Sequence, residues 1–138
     1  MARRRLDLEE EAGRISAPGA ALSDPIRVRM LGMMAAGRGC CELPDCGVPA
    51  EDQDAGICVS EFERAFAMGQ SKVSYHLRKL KEAGLVREER RGRWSFHPFY
   101  REGAARLVGE MEGLLGWITR PGRDPVNVLI SARGSAED

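Results

Sequence analysis

Residues 70–94 read QSKVSYHLRKLKEAGLVREERRGRW and carry the clearest structural pattern of the chain. Val73, Leu77 and Leu80 recur at steps of three and four residues, which predicts a helix over about residues 71–83 with one apolar face. At about 100° per residue, the opposite face of that helix carries hydroxyl and cationic side chains and one tyrosine. Such a helix packs on the protein with one face and leaves the other free to contact a polyanion.

A helix upstream of this segment and a hairpin downstream complete the pattern. Apolar spacing predicts a helix over residues 59–67 with Ser60 as its N-cap, followed by a glycine-containing turn. Residues 85–88 and 94–97 are predicted as two strands that flank a basic tip at residues 90–93. Two helices joined by a short turn, the second with a polar and basic outer face, are typical of DNA-reading helix-turn-helix proteins, and a basic hairpin behind them is a wing.

Two helices are predicted before this region. Residues 8–15 have the spacing of a short amphipathic helix, which Pro18 is expected to end. A methionine-rich helix follows, with Ser23 or Asp24 as its N-cap and Gly37 at its end.

After the hairpin, a long helix is predicted from about residue 100 to residue 120. Its apolar stripe is wider than one surface helix needs, which indicates packing against a partner as well as against its own domain. The fold predicted is therefore mostly α with a β-hairpin wing, a winged helix-turn-helix. We expect residues 1–121 to form one DNA-binding and dimerisation domain, with an inserted cysteine-bearing loop at about 40–57, and residues 122–138 to form a tail.

Charge is segregated along a chain that is neutral as a whole. The 138 residues include 21 Lys plus Arg and 21 Asp plus Glu. Residues 40–63 contain seven acidic and no basic side chains, whereas residues 70–94 contain eight basic and three acidic ones. This distribution is compatible with binding a polyanion through one face. No apolar run is long enough to cross a membrane and no apolar segment follows the charged N-terminus, so we expect no membrane partner and a cytoplasmic location.

The four cysteines, Cys40, Cys41, Cys46 and Cys58, lie within 19 residues. In a reducing compartment, clustered cysteines more often bind metals or act in redox chemistry than form structural disulfides. Their spacing lacks the paired CxxC motifs of a structural zinc site. The cluster therefore predicts a thiolate site and leaves its metal open.

Three segments resemble the ArsR/SmtB family of metal-responsive winged-helix repressors, and most closely its arsenic-responsive members. They are LSDPIRVRML at residues 22–31, CVSEF at residues 58–62 and the segment at residues 70–94. The resemblance covers about residues 22–118. It implies a homodimer whose terminal helices form the interface, and an apo form that binds double-stranded operator DNA until a bound metal or metalloid releases it.

The resemblance also implies which residues contact DNA. They are Gln70, Ser71, Lys72, Ser74, Tyr75, His76, Arg78 and Lys79 of the recognition helix, and Arg90, Arg91 and Arg93 of the wing. Amide, hydroxyl and phenol groups exchange hydrogen bonds with base edges, while lysine and arginine neutralise phosphates. For Tyr75 a place at the rim of the core, and for His76 a packed position, remain alternatives.

The arsenic-sensing members carry a CVC motif, of which this chain keeps only the first cysteine in Cys58-Val59-Ser60. We therefore expect Cys58 to share its ion with Cys40 and Cys41, while Cys46 is an alternative third ligand or a loop thiol. Soft thiolates favour As(III), the expected inducer, or Sb(III), then Cd(II) or Pb(II), over Zn(II). No organic cofactor is expected, and a structural role is expected for His97.

Other functions stay open at the level of the sequence. A thiol redox sensor of the same fold, a Cd, Pb or Zn sensor, and a thiolate storage module without a DNA role are all compatible with the cysteine cluster. An enzyme is not expected, because the chain has two histidines and neither a Cys/His/Asp constellation nor a phosphate-binding glycine loop.

Overall fold

The computed structural model describes residues 5–38 and 43–118 of the chain. In chain order the elements are α1 (Arg5–Ala21), α2 (Pro25–Ala36), a 3₁₀ helix (Ala50–Ala55), β1 (Ile57–Cys58), α3 (Val59–Phe66), α4 (Gln70–Glu82), β2 (Glu89–Arg91), β3 (Trp94–His97) and α5 (Arg101–Ile118). The 3₁₀ helix has the sequence AEDQDA and is called the acidic helix below. The prediction of a mostly α-helical winged helix-turn-helix is confirmed.

The three strands form one antiparallel sheet in the order β1-β3-β2. β2 and β3 are the two arms of the wing, and β1 adds to the outer side of β3 with Cys58 opposite Phe96. This pairing fixes the thiol-bearing residue at the point where the sheet meets the first residue of α3.

The core lies between α2, α3 and α4. It is built from the fully buried Met30 of α2, Phe62 of α3 and the predicted apolar face of α4, Val73, Leu77 and Leu80. Burying each side chain of this size stabilises the fold by about 1.5–3 kcal/mol, because its apolar surface leaves water. These residues therefore determine which face of α4 packs on the protein. The opposite face of α4 is left to solvent.

The start and end of α2 agree with the prediction. Asp24 is the N-cap, since its Oδ1 accepts a hydrogen bond of 2.8 Å from the backbone N–H of Ile26. Pro25 occupies the first helical turn, where a missing N–H costs no hydrogen bond. Gly37 follows the last residue at φ 81°, a conformation that favours glycine.

Two predictions about helix ends are wrong. α1 continues through Pro18 to Ala21, where Ala21 is buried in the core and its carbonyl accepts a hydrogen bond of 2.7 Å from Arg27 Nε. The N-cap of α3 is Cys58 rather than Ser60, because pairing in β1 extends the backbone up to that residue.

The first wing strand and the cysteine-bearing loop also differ from the prediction. β2 comprises Glu89–Arg91, whereas Leu85 and Val86 are buried in the core and pair with the chain beyond β3, where Val86 forms an isolated antiparallel bridge to Phe99. The tip is therefore formed by Gly92 and Arg93, not by residues 90–93. The loop is not wholly irregular, because it contains the acidic helix.

None of the helices in the described part of the chain combines the length and apolar character that crossing a membrane requires.

Candidate nucleic-acid interface and thiol site

The outer face of α4 is exposed over its whole length. Its solvent-facing side chains are Gln70, Ser71, Lys72, Ser74, Tyr75 and Arg78, with Lys79 partly exposed at the edge. Because the apolar residues of the same helix are fully buried, the two faces are cleanly separated. Hydrogen-bonding groups lie in the first turns of this face and cations at both ends.

Tyr75 lies near the middle of the exposed face, and two cations approach its ring. The guanidinium of Arg78 is 5.7 Å and the ammonium of Lys79 is 5.6 Å from the centre of its ring. Both distances are within the range of cation–π attraction, which orders long side chains that are otherwise free to rotate. Arg78 also approaches Glu82 at 3.9 Å, but this exposed pair is weak and leaves the guanidinium available to an anion.

His76 is not on this face, contrary to its assignment as a DNA contact. Its side chain is buried, with only 4% of its surface exposed, and its Nδ1 is 3.1 Å from Arg27 Nη1. Burial lowers the pKa of His76 below its usual value, so the ring is neutral and Nδ1 accepts from the arginine. The signal in the sequence was its position beside Val73, on the edge of the apolar face.

Two of the wing arginines are exposed. Arg90 projects from β2, and Arg93 in the tip places its guanidinium 4.7 Å from the centre of the Trp94 ring. These cations give the hairpin exposed positive charges of its own, suited to contact phosphates.

The third wing arginine, Arg91, is bound by carboxylates, although the sequence groups it with the other two. Its guanidinium lies 2.8 Å from Asp54, 3.5 Å from Asp52 and 3.0 Å from Glu89. The hydrogen bond to Arg91 holds the pKa of Asp54 below its usual value. Two of these carboxylates belong to the acidic helix, so Arg91 joins the wing to the cysteine-bearing loop.

Of the cysteines that the structure describes, Cys58 is the buried one. It is 1% exposed and packs with Ala55 and Phe96, at the first turn of α3. Burial, reinforced by the negative charge of Glu61, raises the pKa of the Cys58 thiol to about 11. At neutral pH the resting side chain is therefore a protonated thiol.

A buried ion pair lies directly beside Cys58. Glu61 is 2% exposed, and each of its two oxygens accepts a hydrogen bond of 2.6 Å from the guanidinium of Arg38. One of these oxygens also accepts from the backbone N–H of Cys58 at 3.0 Å. Arg38 donates further to the backbone carbonyls of Gln53 and Gly56, both at 3.1 Å. One arginine thus joins the segment after α2 to the acidic helix and to the start of α3.

This pair was not predicted from the sequence. One signal was present, because a glutamate three residues after an N-cap is the acidic half of a capping box. Arg38, 23 positions earlier, has no such marker.

The remaining cysteines are placed as follows. Cys46 is partly exposed in the irregular segment before the acidic helix, where Arg64 Nη1 donates to the neighbouring Asp45 carbonyl at 2.8 Å. Cys40 and Cys41 lie outside the described residues. Among the described residues, no three potential ligands lie close enough together to hold a metal ion.

α5 carries an exposed apolar stripe. Val108, Met111 and Leu115 expose between 39% and 51% of their surfaces, whereas Leu107 of the same helix is buried against the core. α5 packs along α1, so the first and last described helices share one side of the molecule. An exposed patch of this kind marks a surface suited to protein contact.

α3 and α4 followed by the β2–β3 hairpin define a winged helix-turn-helix. Residues 54–88 match the family model of the bacterial regulatory proteins of the arsR family. Among curated proteins, the arsenic resistance transcriptional regulator ArsR1 of Pseudomonas putida is 34% identical over 50 residues, covering 36% of this chain and 39% of the relative. The arsenical resistance operon repressor of Bacillus subtilis is 38% identical over 58 residues, covering 42% of this chain and 55% of the relative.

Solved structures match more of the chain at lower identity. A crystal structure of an ArsR family transcriptional regulator has a TM-score of 0.57 at 20% identity, with 88% of this chain and 100% of that chain covered. The homodimeric winged helix-turn-helix domain of a possible ArsR-family regulator from Mycobacterium bovis has a TM-score of 0.52 at 21% identity, with 88% and 93% covered. At these identities the likeness shows the fold.

Residues 54–88 are therefore similar to the ArsR family, within a chain that has a winged helix-turn-helix fold. The matching family model is that of bacterial regulatory proteins. The matched segments span about half or less of the two curated relatives.

Proposed function

We propose that this chain is a cytoplasmic, homodimeric transcriptional repressor that binds operator DNA and releases it when As(III) binds its cysteines. The observation that carries the proposal is the position of Cys58. The buried thiol is the N-cap of α3, the helix on which the exposed α4 packs. A ligand at this thiol therefore acts directly on the support of the DNA-reading helix.

The proposed DNA contacts follow from exposure and chemistry. Gln70, Ser71, Ser74 and Tyr75 meet base edges in the major groove, which admits a helix of the width of α4. The phosphates are met by the exposed cations Lys72, Arg78, Lys79, Arg90 and Arg93. His76 is left out because it is buried, and it supports α4 from the side of α2.

The proposed thiolate site combines Cys58 with Cys40 and Cys41, and Cys46 is the alternative third ligand. Arg38 supports this set, because it is bound to Glu61 beside Cys58 and precedes Cys40 by two residues. The ligands need no zinc-like tetrahedral arrangement, since As(III) takes three sulfurs in a pyramid.

As(III) suits the protonated resting state of Cys58. Neutral arsenous acid exchanges each As–O bond for an As–S bond, and the thiol proton leaves with the hydroxide as water. A thiol with a pKa of about 11 can react in this way without first releasing its proton to solvent. Sb(III) follows the same chemistry, whereas Cd(II) or Pb(II) must displace the proton, so their binding is coupled to pH.

The same thiol argues against a redox sensor. Redox-sensing cysteines have a low pKa and are accessible to oxidant, because the thiolate is the reactive form. Cys58 is buried and its pKa is raised. Exchange with neutral arsenous acid is the function that we propose for this environment.

The proposed dimer interface is the apolar stripe of α5 with the neighbouring α1. Burying Val108, Met111 and Leu115 against a second copy removes three exposed apolar side chains of α5 from water. In such a dimer, the separation of the two α4 helices depends on the position of α3 in each chain, because α4 packs on α3. A ligand that favours one arrangement of α3 over the other shifts DNA affinity by its differential binding energy.

The test uses fluorescence anisotropy with the DNA upstream of the chain's own coding sequence. Arsenite should weaken the binding of wild-type protein by about 5- to 150-fold, the usual range of allosteric coupling. Cys58→Ser should bind the same DNA without arsenite and resist release. Release of Cys58→Ser at the arsenite concentration that releases wild type would refute the site. Cadmium in place of arsenite, at two pH values, separates the two classes of inducer.

A further inference from the structure

The acidic helix is held from two sides by arginines of different elements. On one side, Arg38 donates to the carbonyls of Gln53 and Gly56 while it binds Glu61 beside the Cys58 thiol. On the other side, Arg91 of β2 binds the carboxylates of Asp52 and Asp54. The acidic helix thus contacts both the ion pair beside the thiol and strand β2 of the wing, in addition to the direct pairing of Cys58 with β3.

Arg91 of the wing contacts the acidic helix at several atoms. The Arg91 guanidinium reaches Asp54 Oδ1 at 2.8 Å and Asp54 Oδ2 at 3.4 Å, an arrangement that fixes the orientation of the fork. It also lies 3.4 Å from the carbonyl oxygen of Glu51. These contacts join residues 37 to 40 positions apart, so they constrain the tertiary position of β2 and not the local turn.

The end of the acidic helix is fixed against the sheet. Gly56 follows it at φ 112°, and a Cβ at this position would lie 3.1 Å from the backbone nitrogen of Pro98 and 3.2 Å from the carbonyl of His97. The backbone of the loop therefore packs directly on the end of β3. A shift of the acidic helix would therefore also displace the residues that contact it.

We propose that the acidic helix is a clamp that couples the thiol site to the wing, with Asp54 and Asp52 as the residues that position Arg91. The inference rests on the proposed function. When As(III) draws the cysteines together, Arg38 shifts the acidic helix, and the carboxylates lose their hold on Arg91. The wing then changes its angle to the recognition helix, which adds to the loss of DNA affinity.

A simpler effect of the acidic helix has to be separated from the clamp. Its carboxylates repel phosphates, so removing any one of them raises DNA affinity through net charge alone. Asp54→Asn removes a charge that contacts Arg91. Glu51→Gln removes the same charge from the same helix, but Arg91 meets Glu51 through its backbone carbonyl, which this substitution keeps.

The experiment measures the ratio of operator Kd with and without arsenite for wild type and for both variants. Asp54→Asn should lower this ratio by about two- to five-fold, the effect of losing one exposed ion pair from the coupled set. Glu51→Gln should leave the ratio as in wild type. Equal ratios in the two variants would overturn the coupling.

A second readout does not depend on the inducer. In a Trp117→Phe background, Trp94 at the wing is the remaining tryptophan of the sequence, and acrylamide quenching reports its exposure. Quenching should increase in Asp54→Asn and not in Glu51→Gln; identical quenching would overturn the clamp itself. If arsenite fails to release wild-type protein from DNA, both the proposed function and the coupling are refuted. The quenching of Trp94 then still tests whether Asp54 holds the wing in place.

Discussion

Replacing Arg38 by methionine tests the junction between the thiol site and the helix-turn-helix. The substitution keeps the length of the aliphatic stem and removes both 2.6 Å hydrogen bonds to Glu61, a side chain that is 2% exposed. Breaking a buried ion pair by removing one partner costs about 3–5 kcal/mol, because the other charge stays buried without compensation. Water reaches the Arg38 side of the pair, which is 21% exposed, so we expect the lower end, about 3 kcal/mol.

The assay is urea unfolding followed by circular dichroism at one fixed chain concentration, because association makes apparent stability depend on concentration. The control is the double variant Arg38→Met with Glu61→Leu. Removing both charges should cost less than Arg38→Met alone, since no uncompensated carboxylate remains. A loss below about 1 kcal/mol for Arg38→Met, or additive losses in the double variant, would refute the assignment of a buried pair.

Four further outcomes are expected. Gly103→Ala should destabilise the fold by more than about 3 kcal/mol, because its Cβ would overlap the backbone carbonyl of Gly84; the unfolding midpoint measures this. Cys58 in the folded protein should react with iodoacetamide at pH 8 roughly 100-fold more slowly than in guanidinium, since a pKa of about 11 leaves few thiolates; peptide mass spectrometry measures the rate. Arg78→Ala should lower the slope of log Kd for operator against log salt by about 1. Val108→Glu should shift the chain from dimer to monomer in sedimentation, because the exposed stripe of α5 would carry a charge.

Gly103→Ala has a matched control, and each of the four outcomes has a result that would contradict it. Gly32→Ala, in an open position of α2, should instead stabilise the fold by about 0.5–1 kcal/mol. If Gly103→Ala behaved in the same way, the close packing of α5 on Gly84 would be wrong. Equal alkylation rates in the folded and unfolded protein would contradict the burial of Cys58. An unchanged salt slope for Arg78→Ala would remove that residue from the phosphate contacts, and a dimeric Val108→Glu would move the interface away from α5.

Local patterns were sufficient to predict the helix-turn-helix. The period of Val73, Leu77 and Leu80 placed one face of α4 in the core and the other in solvent, and the structure has both faces as predicted. Residue chemistry limited the cap of α2 to Ser23 or Asp24 in the same way, and the structure has Asp24. These features depend on neighbours within one or two turns, which a single sequence displays.

The features that were missed depend on contacts between distant positions. Leu85 and Val86 have an apolar pattern that suits a strand as well as a core segment, and only the packing of the helices decides between them. The burial of His76 under Arg27 joins positions 49 residues apart. Arg91 differs from its neighbour Arg90 only in facing the acidic helix, which the sequence does not mark.

The most direct measurement is arsenic-edge X-ray absorption on arsenite-loaded protein, because it counts the sulfur atoms bound to the ion. We predict three sulfur neighbours in wild type, and in Cys58→Ser the loss of one sulfur with an oxygen in its place. A three-sulfur shell that persists in Cys58→Ser, or an oxygen-dominated shell in wild type, would contradict the assignment of Cys58 to an arsenic-sensing site.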